Sequence, residues 1–203
     1  MSFDVIIRTV RTAILFLLFA TVSSCGLSRR KERNETKAGM PVAVAVLPVG
    51  NQSQDITMPI LIRYFLEEEM SGKGFKLPAR FNELDSDLRQ MGISDASQVN
   101  DSNLQNIGQS FKVDGVVQGT LLESSQNKGV KTIRASFRLI SVFSGQTLWE
   151  KQIEIEEELE GKLPVRGTIT PEWTLKQARA LARTSAGKLP RKLVRNALKT
   201  LKR

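Results

Sequence analysis

Apolar positions along this chain form two uninterrupted runs and several periodic stretches, and each pattern predicts a different kind of element. The first run, residues 13–20, is flanked upstream by Arg8 and Arg11. A membrane-spanning helix needs about 20 apolar residues, so this run is too short to span a bilayer. A basic flank, a short apolar run and small residues beyond it are the parts of a secretory signal. We therefore predict that residues 1–24 form a signal peptide that is removed.

The second apolar run, residues 42–49, is rich in valine and bounded by turn residues, which predicts a buried strand. A loop is expected at residues 50–53. Residues 57–70 then carry apolar side chains at helical spacing, and we assign the three glutamates at 67–69 to the solvent side of this helix. A short second strand is expected at residues 75–78. The pattern is therefore strand, helix, strand in the first half of the domain.

Polar residues suited to helix caps predict two further helices before the next strand. Asn82 is expected to cap one of them, and Asp101 or Ser102 the other. Three strands are then predicted, at residues 114–122, 131–143 and 147–156, because apolar residues alternate in the last two and turn residues separate all three. These strands form an antiparallel meander.

The strand alternation also predicts a core. The parity of the last strand is imperfect around Trp149, which indicates a β-bulge. We expect one shared core in which strand residues pack against the first helix. Its members are predicted to be Val44, Val46, Val116, Phe137, Trp149, Leu61 and Phe65.

The carboxyl-terminal part, residues 161–203, is predicted to be a loop followed by basic amphipathic helices from Glu172 onwards. Pro190 is expected to break this segment into two helices. One interpretation is a helix packed on the sheet with a solvated basic face. The other is a separable docking helix, Leu189 to Arg203, that contacts an anionic partner or phospholipid head groups. The predicted contact residues are Arg191, Lys192, Arg195, Lys199, Lys202 and Arg203.

Charge and composition narrow the chemistry. The chain has 203 residues, 30 Lys and Arg against 21 Asp and Glu, a formal net charge of +9 and no histidine. Without histidine, the commonest general base at neutral pH and the commonest metal ligand are missing. We expect no cofactor and no metal site. The glutamate runs are interpreted as solvated faces, although a carboxylate-dependent hydrolase stays an alternative. Asn51 and Ser53, after the first strand, are interpreted as a turn rather than a binding site.

Cys25 is the single cysteine and ends the sequence VSSC at residues 22–25. A plain signal peptide or an uncleaved anchor could contain such a cysteine. The sequence resembles the lipobox of bacterial lipoproteins, in which the cysteine is acylated and becomes the new amino terminus. A lipid on Cys25 would remove an unpaired thiol from an oxidising compartment. Residues 25–40 are then a polar, flexible tether to the domain at 41–160.

Several short motifs appear in a consistent order within this domain. They are VAVLPVGNQS at 44–53, Gly74 with Phe75, LRQMGI at 88–93, DGVVQG at 114–119 and SGQTLWE at 144–150. Together they resemble a family of bacterial lipoproteins typified by a meningococcal surface antigen and related to the TolB amino-terminal domain, CsgG and LpoB.

This resemblance implies an α/β fold, a mixed β-sheet with helices packed on it, to which the basic helical segment is added. It also implies a non-catalytic, lipid-anchored periplasmic accessory or scaffold protein of an envelope assembly or export machine, at the outer membrane. An LpoB-like activator of peptidoglycan synthesis is the alternative. The expected partners are the membrane, through Cys25, and an envelope complex or anionic lipid. A homo-oligomer is also compatible with this reading, whereas an exported protein meets little nucleic acid.

Overall fold

The computed structural model describes residues 39–79, 81–93, 96–158 and 175–202. The predicted signal peptide, Cys25, nearly all of the tether, the loop after residue 158 and Arg203 lie outside the described residues. Among the helices within them, none has the length and apolar character needed to cross a membrane.

The described strands form one mixed sheet. They are β1 (Val44–Val46), β2 (Gly50–Asn51), β3 (Gly115–Asn127), β4 (Val130–Ser141) and β5 (Thr147–Glu158). The order across the sheet is β1-β3-β4-β5, and β2 continues beside β3. Both β1 and β2 run parallel to β3, whereas β3, β4 and β5 are antiparallel neighbours. The predicted meander is therefore confirmed, and the predicted loop at 50–53 begins with a short strand.

Helices cover both faces of the sheet. They are α1 (Met58–Gly72), α2 (Phe81–Gln90), α3 (Asp101–Phe111), α4 (Leu175–Ala182) and α5 (Lys188–Leu198). Two short 3₁₀ turns, Ala96–Gln98 and Ser185–Gly187, precede α3 and α5. Apolar residues of α1, α4 and α5 share one core, which also contains Phe81 at the start of α2, and the remaining buried apolar residues of α2 share another core with those of α3. The fold is thus an α/β domain with a mixed sheet between two helical layers, as expected.

Alternation along β1 creates these two cores. Val44 and Val46 face the α1 side, and Ala45 between them faces the α2 side, because successive strand residues point to opposite faces. The single predicted core is therefore wrong in one member, since Val116 has the opposite parity and packs with α2 and α3. Trp149 lies on the correct side but is only half-buried, because β5 is the last strand of the sheet.

The bulge predicted near Trp149 is confirmed. Leu139 of β4 pairs with Trp149, but the next residue, Ile140, pairs with Thr147, so Leu148 is an extra residue in β5. An extra residue reverses the side-chain parity on its strand. This explains why the alternation in the sequence is imperfect at that point.

Three local predictions in the first half are wrong. Residues 75–78 form no strand, and only one parallel bridge joins Ala43 to Lys76. Asn82 lies inside α2, which starts at Phe81. The cap of α3 is Asn100, which has extended backbone angles, whereas Asp101 and Ser102 are already helical. The side chain of Asn100 accepts hydrogen bonds from the backbone amides of Ser102 and Asn103.

The assignment of Glu67 to the solvent side is also wrong. Glu67 is 4% exposed, and its carboxylate accepts a hydrogen bond from the Phe81 amide at 3.1 Å. The carboxylate also lies 3.9 Å from the guanidinium of the equally buried Arg63. The negative charge is therefore balanced within the core, which helical periodicity alone could not indicate.

The break in the carboxyl-terminal segment comes earlier than Pro190. Helix α4 ends at Ala182, and the Thr184 hydroxyl then accepts from the Ala186 amide at the start of the 3₁₀ turn. Pro190 lies in the first turn of α5. Amides of a first helical turn have no intrahelical acceptor, so a proline there removes no hydrogen bond.

Helix α5 is part of the core, which confirms the interpretation of a packed helix. Leu193, Val194 and Ala197 are completely buried in the same core as Leu61 and Phe65 of α1. The structure does not support a separable docking helix, because the apolar face of α5, whose residues recur three or four positions apart, is covered by α1 and β5. Only its opposite face is available for contacts.

Candidate anion-binding groove

The turn between α4 and α5 forms an open groove of about 660 Å³ on the helical layer opposite α2 and α3. Gly187 sets its shape: a side chain there would place its Cβ 2.1 Å from the carbonyl oxygen of Ala182. The end of α4 and the start of α5 can approach each other this closely only around glycine. The groove therefore has a rigid base made of backbone.

The charge of the groove is entirely of one sign. Six lining residues are basic and none is acidic. The basic residues are Arg183, Lys188, Arg191, Lys192, Arg195 and Lys199. A concave surface lined by one charge sign concentrates counter-ions and ligands of the opposite sign. The arrangement is suited to binding an anion.

Three of these cations are held by neighbours outside the groove. Arg195 Nε lies 2.6 Å from Glu69 Oε1, and Lys192 Nζ lies 3.3 Å from Glu157 Oε2. The Arg191 guanidinium lies over the Phe65 ring, 4.9 Å from its centroid. The hydrogen bond and negative charge of Glu69 raise the pKa of Arg195. These contacts orient three cations; Glu69 and Glu157 offset two of the six positive charges, so a net positive charge is left in the groove.

The other three cations are available to a ligand. Within the described ranges, Arg183, Lys188 and Lys199 form no ion pair, and all three side chains are exposed. They combine with the exposed Ser185 of the turn. Cations that are held in place beside cations that form no ion pair are suited to binding a charged oxygen-rich group.

Sequence analysis found part of this site. Four of the predicted contact residues, Arg191, Lys192, Arg195 and Lys199, line the groove, while the exposed Lys202 lies beyond α5, outside the lining set. Arg203 lies outside the described residues. The prediction missed Arg183 and Lys188, because it placed the helix break at Pro190. The sequence TSAG at 184–187, a cap residue followed by small residues, was the signal that could have located the turn.

Buried charges elsewhere in the domain serve the fold. Arg63 Nη1 lies 2.6 Å from Asp85 Oδ1, and the Arg63 side chain also donates to the carbonyl oxygens of Val46 and Phe81. A buried cation with this many acceptors joins α1, α2 and β1.

Asp55 is the second such centre. Its carboxylate accepts from the Ser124 hydroxyl at 2.8 Å and from Lys131 Nζ at 3.1 Å, and it also accepts from the amides that start α1. Burial raises the pKa of Asp55, but these hydrogen bonds and the charge of Lys131 outweigh burial and hold the pKa below its ordinary value. Asp55 is thus an ionised structural residue.

The loop after β1 contains the turn that we expected. Asn51 Oδ1 accepts hydrogen bonds from both the backbone amide and the hydroxyl of Ser53 at 2.9 Å. The side-chain Nδ2 of Asn51 donates to the backbone carbonyl of Asp55. These are local contacts of an Asx turn. Across the described residues, no group of three acidic, cysteine or histidine side chains is placed to hold a metal ion.

Comparison with known proteins identifies the fold. No family model matches the sequence, and no curated protein matches it. The structure resembles the lipoprotein GNA1162 from Neisseria meningitidis, with 20% identity over 61% of this chain and 88% of that chain and a TM-score of 0.53. A PelC variant from Paraburkholderia phytofirmans, determined as a dodecamer, has 12% identity over 79% and 89% of the two chains and a TM-score of 0.50.

A third similar structure is the hypothetical protein CT253 from Chlamydia trachomatis. Its identity is 11% over 78% of this chain and 94% of that chain, with a TM-score of 0.50. At such identities the likeness concerns the fold alone. The class of protein defined here is therefore an α/β domain with the fold of the lipoprotein GNA1162, and what its groove does has to be argued from its own residues.

Proposed function

We propose that this chain is a lipid-anchored accessory protein of the cell envelope, tethered through Cys25 at the outer membrane and facing the periplasm. In this proposal it acts by binding an acidic region of an envelope partner protein in the α4–α5 groove. The observation that carries the proposal is the groove itself, with six cations, no acidic lining residue and a base fixed by Gly187. The lipobox-like sequence before the domain and the fold shared with a lipoprotein support the anchoring.

A binding role suits this site better than catalysis. Hydrolysis by carboxylates needs a general acid whose pKa is raised towards neutrality. The buried Asp55 has the opposite property, because its hydrogen bonds and Lys131 lower its pKa. The buried Glu67 is engaged by Arg63 and by the Phe81 amide. These contacts favour the accessory role over the hydrolase.

Self-association is a further part of the proposal. The similar PelC structure was determined as a dodecamer. A lipid anchor confines copies of a protein to one surface, which raises their effective concentration. Sedimentation of the purified mature protein tests this; a monomer at every concentration would remove the oligomer from the proposal.

The anchor is tested at Cys25. Cys25→Ser should abolish acylation and release the protein from membranes, or leave it unprocessed, because serine offers no thiol for thioether formation. Mass spectrometry of the mature amino terminus is the measurement. An unmodified Cys25, or cleavage elsewhere in the wild-type chain, would contradict lipid anchoring.

The groove is tested by charge reversal at its free cations. A variant with Arg183→Glu, Lys188→Glu and Lys199→Glu should lose a partner that affinity capture recovers with the wild-type protein. The matched control reverses Arg89, Lys112 and Lys128, which are equally exposed but lie away from the groove. We expect the control to retain the partner, and binding to the wild-type protein to weaken as salt is raised. Equal loss in both variants would contradict a role for the groove.

A further inference from the structure

The point at which the tether meets the domain is fixed by Asp114. Its carboxylate accepts from the Val42 amide at 2.9 Å and from the Ala43 amide at 2.7 Å. Lys76 continues this arrangement, since its amide donates to the Val42 carbonyl at 2.9 Å. The chain therefore enters at the end of the sheet where β1 and β3 begin and β4 ends. We call this end the entry end.

The entry end displays two large apolar side chains to solvent. Phe143, in the β4–β5 turn, is 67% exposed, and Val42 is 47% exposed. The turn is firmly held, because the buried Val142 donates its amide to the Asp114 carbonyl at 3.1 Å and packs against Gly108 of α3. Phe143 is therefore presented outwards on a fixed turn beside the point where the tether enters.

Three lysines also lie towards this end of the domain. Lys76 is exposed next to Val42, and Lys73, at the end of α1, donates to the Leu201 carbonyl at 3.0 Å. That contact brings the end of α5 to the same region, with the exposed Lys202. The indole of Trp149, at the start of β5, also reaches Thr200 there, at 3.1 Å.

Of the described acidic groups near this end, Asp114 and Glu69 are already engaged, and Glu69 pairs with Arg195. The Asp114 carboxylate is used by the Val42 and Ala43 amides. Glu150 follows Trp149 on β5, and its side chain points to the opposite face of the sheet from Trp149. On the α2 side, Glu83 and Asp87 lie near Lys112 at the end of α3. The combination of exposed apolar groups with lysines is typical of surfaces that meet a lipid bilayer.

We propose that the entry end docks on an anionic phospholipid surface, with Phe143 at the level of the head groups and Lys73, Lys76 and Lys202 beside the phosphates. This inference rests on the proposed lipid at Cys25. From Cys25 to Gly39 the chain can extend by at most about 50 Å, so the anchor keeps the entry end within reach of the membrane. The opposite end of the sheet lies farther from the point where the tether enters, by the length of β3, 13 residues or roughly 40 Å.

Ile56 provides a matched control at that opposite end. It is 59% exposed, close to Phe143 in exposure, and lies beside Asp55, whose carboxylate contacts Ser124 near the far end of β3. Membrane contact at the entry end should therefore change the signal of a probe at position 143 but not of a probe at position 56. A domain that is held at the membrane only by its tether should change neither signal.

The experiment uses the full mature chain with its lipid, reconstituted on vesicles of phosphatidylethanolamine and phosphatidylglycerol. Phe143→Cys and Ile56→Cys variants are labelled with an environment-sensitive fluorophore. Mass spectrometry first verifies acylation of Cys25, so that failure of the anchor is recognised separately from failure of docking. Thermal unfolding verifies that each exposed substitution leaves the fold intact.

We expect a several-fold rise in emission and a blue shift at position 143 on these vesicles, and no change at position 56. The rise should fall at least threefold on pure phosphatidylcholine, and also when Lys73, Lys76 and Lys202 are replaced by Glu. Four results would overturn the proposal: a response only at position 56, no response at either position while the protein is bound, an equal response on both lipids, or a label at 143 already buried before vesicles are added.

Discussion

At the residue scale, the buried charges show what holds the domain together. Arg63 and Lys131 are 4% and 7% exposed, and each is paired with a carboxylate on another element. Charges removed from water are tolerated only when such partners replace the lost hydration. Lys131 anchors β4 to the start of α1 through Asp55, so this pair fixes the position of the first helix.

Replacing Asp55 tests the strength of that link. Asp55→Asn should lower the free energy of unfolding at pH 7 by about 2 kcal/mol, because it leaves the buried Lys131 without its negative partner. The matched control is Glu123→Gln, which removes an exposed partner of Arg134 and should cost less than about 1 kcal/mol. Urea denaturation measures both values, and equal losses would contradict the assigned role.

The same variant gives a pH dependence with a definite sign. The pKa of Asp55 in the folded protein lies below its ordinary value of 3.8. Ionised Asp55 therefore contributes stability above the unfolded-state pKa, and this contribution is lost as pH falls through the lower folded-state pKa. The difference between wild type and Asp55→Asn should be full at pH 7 and narrow below about pH 4. A difference that stays constant down to pH 3 would show that ionisation is not the cause.

Sequence could indicate that position 131 is in the core but not how its charge is satisfied. Lys131 shares its parity with Ile133, Ala135 and Phe137, so strand alternation places it on the buried face. Its partner, Asp55, is 76 positions earlier in the chain. Only the folded path of the chain brings the two together. The same holds for Arg195 and Glu69, which are 126 positions apart, so the sequence pointed to Arg195 but not to the acid that holds it.

At the element scale, periodicity predicted the existence of α1, β4 and β5 well, because each packs one apolar face against the same core. The ends of the helices were predicted less well. A helix end depends on local geometry, such as the extended backbone of Asn100 or the position of Pro190 in a first turn. Several neighbouring residues could adopt the same geometry, so the sequence does not single out one of them. The turn between α4 and α5 was missed for this reason, although it forms the candidate site.

The turn can be tested at its glycine. Gly187→Ala places a Cβ 2.1 Å from the Ala182 carbonyl oxygen, so the backbone must shift. We expect a loss of about 1–3 kcal/mol in the free energy of unfolding, typical of overpacking, together with weaker binding in the groove.

Gly72→Ala is the control for this substitution. Position 72 is the last residue of α1, and an added Cβ there meets nothing within 4 Å. Alanine is the better helix former, so this change should be neutral or slightly stabilising. Thermal and urea unfolding of the two variants are compared. If Gly187→Ala is as stable as Gly72→Ala, the close approach does not determine the turn.

At the scale of the whole molecule, two cores on opposite faces share one sheet. The motifs at 44–53 and 114–119 supply β1, β2 and the start of β3, whose parallel pairing makes the sheet mixed, as the family resemblance implied. The final position of α5 could not be anticipated from sequence. Its tail meets α1 through Lys73 and the Leu201 carbonyl, 128 positions apart, and an amphipathic basic helix is equally compatible with a free docking segment.

Deleting residues 188–203 distinguishes these two roles for α5. Leu189, Leu193, Val194, Leu198 and Leu201 are all at least 96% buried. Each such side chain stabilises the fold by roughly 1.5–3 kcal/mol, so their joint loss, about 8–15 kcal/mol, equals the whole stability of an ordinary domain. The truncated chain should therefore lose its cooperative thermal transition and bind a hydrophobic dye. Removing only the last two residues, of which Lys202 is exposed, should leave the melting temperature unchanged. A truncated chain that still melts cooperatively near the wild-type temperature would mean that α5 is a separable docking helix after all.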